Sequence, residues 1–409
     1  YRRARARPAA VLLMAALDGV LVVAVEQAVA APLCSSRLAD AGARVIKVEV
    51  PEKGDDARAF GPFIKHKSAY FMSINRGKES LALNLKDDAD RVTFEALLHD
   101  ADVLVENYRG GTMERLGYGW ESLHPRYPKL IYAACSGFGH TGPYAERPGY
   151  DVLIQAMGGF MSITGDPDGE PQKAGIPIAD LMAGMYASVA INAALRHREV
   201  SGEGQHIDIG MLDTMTATLS IMGLNYLSTG KTPKRLGNAH PNIVPYQSFT
   251  TADGNMVLAA ANDAQYQRFC TFAGVAELAE DERFKTNELR VRNREELIEL
   301  LQSIIEAKTS KHWVEGLEKV NVTCGPINTI EQVFDHPQVQ ARGMDLKMPH
   351  PATGDNPVHL IASPIRMSKT GPDYRHAPPL LGQHTEEVLG ELLEMDPDEV
   401  AGLRQRGIV

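Results

Sequence analysis

The sequence predicts an α/β fold in which a doubly wound domain, built on a parallel sheet, is followed by a smaller domain. Two observations lead to this prediction. Strand-like and helix-like segments alternate along the first half of the chain, as they do where crossover helices connect parallel strands. The composition then changes at residues 228–245, where Gly and Pro recur at short intervals and indicate a linker.

The individual elements are predicted from apolar runs of strand length and from apolar residues at helical spacing. In the first half we predict strands over 20–25, 44–48, 80–85, 101–106, 130–136 and 205–209, and helices over 33–41, 88–99, 112–117, 181–197 and 211–226. In the second half we predict strands over 256–260 and 359–363, and helices over 265–272, 294–307, 311–320 and 385–393. We assign residues 1–227 to the large domain, 228–345 to the linker and small domain, and 346–409 to a C-terminal segment that returns to the large domain.

The composition excludes several classes of protein. With 44% hydrophobic and 23% charged residues among 409, the chain has enough apolar material for a sizeable core and is not intrinsically disordered. A net charge of −10 leaves no basic surplus for binding nucleic acid. The four cysteines lie far apart, which argues against a disulfide framework and favours a reducing compartment, so we predict a cytoplasmic location.

The N-terminal segment leaves an alternative location open. Residues 1–17 contain four arginines and no acid, which suits a mitochondrial transit-type leader, although Ser is not enriched there. An over-extended N-terminus explains the same residues equally well. The sequence has no run of 18 uninterrupted apolar residues, so we predict no membrane partner.

Residues Gly137–Gly142 form a GxGxxG motif directly after a predicted strand. In a dinucleotide-binding fold a helix opens at the third glycine, but Pro143 and Pro148 stand where that helix would run. We therefore predict no NAD site and interpret the motif as a loop against some other extended ligand. The sequence also lacks the GxSxG and HExxH motifs of serine hydrolases and zinc enzymes, so we expect no metal.

Two acids stand at predicted helix starts: Asp180 before the helix over 181–197, and Asp151 within residues 149–152. An acid in such a position usually caps the helix by accepting hydrogen bonds from its first N–H groups. The alternative is chemical, because a carboxylate among small and apolar residues is poorly hydrated and is therefore a better nucleophile. In that case the helix dipole is expected to keep Asp180 ionised.

Polar and cationic residues near the ends of predicted strands suit a phosphorylated ligand, although an ordinary surface charge explains any single one better. They include Lys47, Lys78, Asn107, Tyr108 and Arg115. In doubly wound sheets, ligands bind in the loops that follow the carboxyl ends of the strands.

Several segments together carry a resemblance to a known family. They are residues 41–49, 75–80, 105–108, 149–152, 202–205 and 379–385, and the match runs from residues 17–20 to 407–409. Over these segments the chain resembles the family III CoA-transferases, the group typified by formyl-CoA and carnitine CoA-transferases. The resemblance implies a Rossmann-like large domain and a smaller α+β domain in an interlocked homodimer. It also implies that coenzyme A enters as a substrate thioester and that neither metal nor NAD is required.

The resemblance assigns roles to individual residues. The family's nucleophilic aspartate corresponds to Asp180, which would form an aspartyl-CoA thioester. Asp151 corresponds to a supporting acid, and Tyr150 lies beside it. The positions that contact CoA in the family fall on Asn75, Arg76, Lys78, Asn107, Tyr108 and Arg115, and we include Lys47 with them.

Two positions depart from the family pattern. A glutamine near the active site of the formyl-CoA enzyme corresponds to Val29, which argues against oxalate-type specificity, and a usual arginine corresponds to Val50. An α-methylacyl-CoA racemase would carry a histidine where Tyr150 stands, and tyrosine, with an ordinary pKa of about 10, is a poor base at neutral pH. Transferase is therefore favoured, with a racemase-like enzyme or a non-catalytic acyl-CoA-binding protein as alternatives.

Residues 234–240 and 243–247 resemble the succinate–hydroxymethylglutarate CoA-transferase branch of the family. This resemblance implies succinyl-CoA as the donor and a C4–C6 dicarboxylate, such as glutarate or hydroxymethylglutarate, as the acceptor. His240 or Arg235 would then bind the distal carboxylate through a charge-assisted hydrogen bond.

Overall fold

The computed structural model describes residues 15–396, 400 and 402, which form two compact units. The larger unit holds the chain up to Phe160, Ala174–Ser228 and the segment from Arg342 onward, and the smaller unit holds Met161–Lys173 and Thr229–Ala341. Most of the Arg-rich segment 1–17, with the leader hypothesis, and residues 407–409 lie outside the described residues. The three-part domain division stays a prediction.

A six-stranded parallel sheet lies at the centre of the larger unit, and the predicted parallel sheet is thereby confirmed. The strands, with a short hairpin formed by β3 and β4, are β1 Leu21–Val25, β2 Arg44–Glu49, β3 Phe63–Ile64, β4 Lys67–Ser68, β5 Lys78–Ala82, β6 Val103–Glu106, β7 Ile131–Ser136 and β8 His206–Gly210. The sheet order is β5-β2-β1-β6-β7-β8, so the winding direction reverses between β1 and β6. Doubly wound sheets bind ligands in the crevice at such a reversal.

Helices cover both faces of this sheet. The helices of this part of the chain are α1 Ala30–Asp40, α2 Ala69–Ser73, α3 Asp88–Asp100, α4 Thr112–Leu116, α5 Trp120–Leu123, α6 Asp151–Met157, α7 Ile178–Ser201, α8 Met211–Thr218 and α9 Ser220–Thr229. Successive residues of β1 point to opposite faces, as the pleat of a strand requires. Val22 and Ala24 therefore join the core under α1 and α7, whereas Leu21 and Val23 join the core under α3.

The long helix α7 packs its small residues against α1. Ala183 and Ala187 are fully buried there, and a Cβ on Gly184 would lie 2.5 Å from the carbonyl oxygen of Ala30. Glycine at this position therefore lets the two helix backbones approach closely. By length and composition alone α7 also qualifies as a membrane span, a test that the buried core helix of a globular protein passes as well.

The smaller unit combines an antiparallel sheet with helices around a core that contains Phe249, Met256, Phe269 and Trp313. The sheet order is β11-β10-β9, and the elements are β9 Tyr246–Thr251, β10 Gly254–Ala259, α10 Asp263–Ala273, α11 Glu277–Glu280, α12 Asn287–Arg292, α13 Arg294–Ile305, α14 Ser310–Lys319, β11 Thr323–Pro326, α15 Ile330–Asp335 and α16 Pro337–Ala341. The larger unit is then completed by the antiparallel pair β12 Asp345–His350 and β13 Gly354–Ile361 and by α17 Thr385–Leu393.

Some elements differ from the prediction. The single helix predicted over 211–226 is two helices, α8 and α9, because Ser220 has a φ of 46° and interrupts the helical path. The strand predicted over 80–85 lies instead at Lys78–Ala82, where it pairs with β2. Strands β9, β11 and β12 were missed because they carry few apolar residues and give little periodic signal.

A buried ion network joins β5, β2 and the end of β1, which are neighbours in the sheet. The Nζ atom of Lys78 donates to Oε1 of Glu26 at 2.6 Å and to the carbonyl oxygen of Pro32 at 2.9 Å. The Nζ atom of Lys47 lies 3.4 Å from the same Oε1 and 2.9 Å from Oδ2 of Asp55. Burial alone would raise the pKa of Glu26, but the two lysines outweigh it and lower that pKa.

Lys78→Met tests how much this network stabilises the fold. The substitution leaves Glu26 buried with one cation fewer, and breaking a buried pair on one side destabilises a protein by about 3 kcal/mol or more. Lys53→Met is the matched control, because Lys53 and Asp56 form an exposed pair, at 2.7 Å, whose loss changes stability by at most about 1 kcal/mol. Urea unfolding measures both free energies, and equal losses would contradict a structural role for the network.

Candidate active site

Asp180 lies in the first turn of α7 as its third residue, and it is not the N-cap. The residue before the helix is Pro177, which has no capping side chain, and the segment 175–179 forms no strand. Asp151 likewise is the first residue of α6 and follows Tyr150. The prediction that either acid caps its own helix is therefore wrong.

Asp151 instead caps the helix that carries Asp180. Its Oδ1 atom accepts the backbone N–H of Ala179 at 2.8 Å and that of Asp180 at 3.4 Å. These N–H groups belong to the first turn of α7, where no carbonyl of the helix itself can accept them. The structure thus brings the two predicted acids together, with one fixing the start of the helix that presents the other.

Two influences raise the pKa of Asp180 to about 7. Burial is the larger one, because it disfavours the charged carboxylate, and the negative charge of Asp151 adds to it. The helix dipole was expected to keep this carboxyl ionised, but burial and the neighbouring acid raise its pKa instead. At neutral pH the Asp180 carboxyl is close to half protonated.

An apolar cluster of Val29, Leu33 and Ile74, with the partly buried Leu181 and Tyr70 packed on it, forms one wall near this acid. Burial raises the pKa of Tyr70, and the charges of Asp180 and Asp151 raise it further, which places the Tyr70 phenol close to both. Helix α1 begins beside this cluster with no side-chain cap at Val29. Asp180 therefore lies beside an apolar cluster, with the Tyr70 phenol and the Asp151 carboxylate also near it.

Residues at the sheet reversal hold the ends of β1 and β6 together. Nδ2 of Asn107 donates to the carbonyl oxygen of Gln27 at 2.7 Å, and Oδ1 of Asn107 accepts the Gln27 N–H at 2.8 Å. Tyr108 is half-buried directly after this pair. Arg109 and Arg115 are exposed in the same region, where Nη2 of Arg115 donates to Thr112 Oγ1 at 2.9 Å. Both cations are therefore exposed to solvent in the segment that follows β6.

The other predicted CoA contacts are buried and paired inside the chain. Lys47 and Lys78 lie in the ion network with Glu26, and Oδ1 of Asn75 accepts from Lys78 at 2.8 Å. Both Nε and Nη2 of Arg76 donate to Asp40, at 2.8 and 2.7 Å. These four side chains are bonded within the fold near the strand ends and are not exposed to solvent.

The glycine-rich loop positions the start of α6. A Cβ on Gly137 would lie 2.5 Å from the Cα of Gly149, so the loop closes on itself just before Tyr150. No helix follows the third glycine before residue 151. The loop also places Nε2 of His140 3.7 Å from Oε1 of the buried Glu106, whose pKa burial raises to about 8. Glu106 is therefore a largely neutral acid at neutral pH.

The remaining predicted residues are Tyr150, Arg235 and His240. The Tyr150 side chain is 75% exposed. Arg235 and His240 belong to the smaller unit, where Arg235 donates to the carbonyl oxygens of Asp166 and Gly169 at 3.0 and 2.6 Å. One residue that sequence reasoning missed is Gln155, which is fully buried and donates to Oδ2 of Asp151 at 2.6 Å. Its spacing of four residues from Asp151 in one helix was the available signal.

The chain is similar to known proteins over most of its length. The family model described as CoA-transferase family III matches residues 17–385. The chain belongs to this family. This chain is 44% identical to the succinate–glutarate CoA-transferase of Agrobacterium fabrum, over 92% of this chain and 95% of that protein. It is 39% identical to the human succinyl-CoA:glutarate CoA-transferase, over 96% of this chain and 90% of that protein.

A solved structure agrees with the fold of this CoA-transferase. The crystal structure of a CaiB/BaiF family protein from Brucella suis matches with a TM-score of 0.82 and 43% identity, covering 92% of this chain and 99% of that one. The resemblance found in the sequence is confirmed, and CoA thioesters are substrates of the family. In the part of the chain that the structure describes, no group of three or more His, Cys, Asp or Glu is arranged to hold a metal ion.

Asp180→Asn tests the raised pKa through stability. The pKa of Asp180 is about 7 in the folded chain against an ordinary 3.8, so the folded form binds the proton more tightly. The parent therefore loses stability as the pH rises from about 4 to about 7, and the variant does not. The free energy of unfolding of the variant, relative to the parent, should rise by up to about 1.4 kcal/mol per pH unit across that window, as measured by urea unfolding.

Two controls separate the causes of this shift. In an Asp151→Asn background the same difference should rise less, because the neighbouring charge is gone. Asp168→Asn changes an exposed acid and should show no trend. A difference between Asp180→Asn and the parent that is constant with pH would show that the pKa of Asp180 is not raised.

Proposed function

We propose that this CoA-transferase moves CoA from succinyl-CoA to a C4–C6 dicarboxylate, glutarate or hydroxymethylglutarate, and that Asp180 carries the reaction as a covalent nucleophile. The observation that supports this role is the Asp180 carboxyl itself, held at the start of α7 beside an apolar wall with its pKa raised to about 7. Two relatives, at 44% and 39% identity, are named for transfer between succinate and glutarate.

The proposed chemistry exchanges one acyl bond for another at each step. The Asp180 carboxylate attacks the thioester carbonyl of succinyl-CoA, the C–S bond breaks, and CoA thiolate leaves a mixed anhydride behind. The thiolate then attacks the Asp180 carbonyl of the anhydride, which releases succinate and forms an aspartyl-CoA thioester. The acceptor carboxylate attacks that thioester and expels the thiolate. Finally the thiolate attacks the acceptor carbonyl, which gives the new acyl-CoA and restores Asp180.

The raised pKa of Asp180 fits a nucleophile that works near neutrality. A carboxylate that is poorly solvated is more reactive than one in water, and burial supplies that condition here. The same burial keeps about half of the carboxyl protonated at neutral pH, so the first step is favoured by a pH above about 7. Asp151 supports the reaction by fixing the first turn of α7.

For the CoA phosphates we propose the residues at the sheet reversal. Arg109 and Arg115 are exposed cations there, beside Asn107 and Tyr108. Lys47, Lys78, Asn75 and Arg76 act on the ligand only indirectly in this proposal, because their polar atoms already hold partners inside the fold. Of the predicted residues, Arg235 and His240 remain the candidates for the distal carboxylate of the acceptor.

We further propose that the chain works as an interlocked homodimer in the cytoplasm, with a mitochondrial location as the alternative if residues 1–17 form a leader. Apolar side chains remain exposed on α7 and α9, with Val189 at 65%, Leu224 at 64% and Leu227 at 78% exposure. Such a surface is typical of a subunit interface. A second copy of the chain would bury it.

An acceptor series tests the proposed specificity. Glutarate and pentanoate have the same length and differ only in the distal carboxylate, so the pair isolates recognition of that group. With succinyl-CoA as donor we expect kcat/KM for glutarate to exceed that for pentanoate by at least about tenfold, the effect of one charge-assisted hydrogen bond. Equal values for the two acids would overturn the dicarboxylate assignment, and Asp180→Asn should abolish transfer to both.

A further inference from the structure

Gln155 is a buried amide with both ends hydrogen-bonded. It lies on α6 one turn after Asp151 and has no exposed surface. Its Nε2 atom donates to Oδ2 of Asp151 at 2.6 Å, and its Oε1 atom accepts the backbone N–H of Ala174 at 2.8 Å. Because a backbone N–H can only donate, the Ala174 contact fixes which end of the amide points toward Asp151.

The contact with Gln155 determines which oxygen of Asp151 reaches α7. Asp151 has two oxygens, and Oδ1 is the one that accepts the N–H groups of Ala179 and Asp180. With Oδ2 held by Gln155, the carboxylate cannot rotate without giving up a buried hydrogen bond. The hydrogen bonds therefore form a continuous path from Ala174 through Gln155 and Asp151 to the first turn of α7.

We propose that Gln155 is a positioning residue for CoA transfer, which holds the Asp151 carboxylate against the start of α7 and thereby keeps the Asp180 carboxyl aligned for attack. The inference depends on the proposed role of Asp180 as nucleophile. In this proposal Gln155 contacts neither the substrates nor the reacting atoms, and it acts through Asp151 alone. Small displacements of a nucleophile are enough to slow a reaction strongly, by about 100-fold for 1 Å.

A merely structural role would predict a different response to substitution. If Gln155 only fills the core, any residue of its size that allows folding should restore activity at every pH. If its N–H donation to Asp151 is what matters, Gln155→Glu should work only when the new carboxyl is protonated, because two carboxylates at this distance repel each other. Burial and the neighbouring acid both favour the protonated form of such a glutamic acid.

The experiment compares steady-state kinetics and pH profiles of Gln155→Leu, Gln155→Glu and the parent, with succinyl-CoA and glutarate as substrates. We expect Gln155→Leu to lower kcat by about 10- to 100-fold and to change KM for succinyl-CoA by less than about threefold. For Gln155→Glu, the ratio of its kcat to that of the parent should rise by about tenfold as the pH falls from about 8 to about 6. Gln302→Leu is the control, because both ends of the Gln302 amide are also hydrogen-bonded, to the backbone of Thr250 in the smaller unit.

Three results would overturn the proposal. They are a kcat of Gln155→Leu within about twofold of the parent, an activity ratio of Gln155→Glu that does not change with pH, and an equal loss in Gln302→Leu. Circular dichroism measures whether each variant folds. Where Gln155→Leu does not fold, the pH comparison on a single Gln155→Glu sample still tests the proposal. Full activity of Asp180→Asn would instead overturn the proposed function, whereas an inactive Asp180→Asn with unaffected Gln155 variants would overturn this inference alone.

Discussion

The carboxylate of Asp151 at the N-terminus of α7 is the contact on which the site depends. Helix α7 begins after Pro177 without a capping side chain of its own, so the N–H groups of Ala179 and Asp180 need an acceptor from elsewhere. Asp151 provides it from the start of α6. The same contact brings a second negative charge close to Asp180, which adds to the effect of burial in raising the pKa of Asp180. One interaction thus fixes the first turn of α7 and adds to the larger effect of burial on the pKa of Asp180.

The distribution of buried charge explains why Asp180 differs from the acids that form ion pairs. Glu26, Asp40 and Glu49 are buried more deeply than Asp180, but Lys78, Arg76 and Arg58 respectively lie within 2.7 Å of them. Asp180 is influenced by burial and by an acid, and no cation in the described part of the chain counteracts them. Strongly perturbed pKa values of this kind cluster at functional sites. The buried cations lie at the strand ends, whereas Asp180, like the buried Glu106, has a raised pKa that no cation among the described residues lowers.

The sequence predicted the parts of the fold that have strong periodic patterns. The apolar strands β1, β2 and β7 and the helix α3 lie close to where the runs of valine, isoleucine and leucine place them. The break at Ser220 was not predictable, because it depends on one left-handed residue inside an apolar stretch. Asp180 and Asp151 were recognised by residue type and family resemblance. The hydrogen bond that Asp151 accepts from the α7 backbone, and the one that Gln155 donates to Asp151, arise from tertiary packing that no local pattern encodes.

The most direct test of the account is to trap the covalent intermediate. The chain is incubated with succinyl-CoA without an acceptor, treated with hydroxylamine or borohydride, digested and examined by mass spectrometry. We expect a mass change on the peptide that contains Asp180, which requires succinyl-CoA and decreases when excess glutarate is added before the trap. An unmodified peptide, in a preparation that still transfers CoA to glutarate, would contradict it.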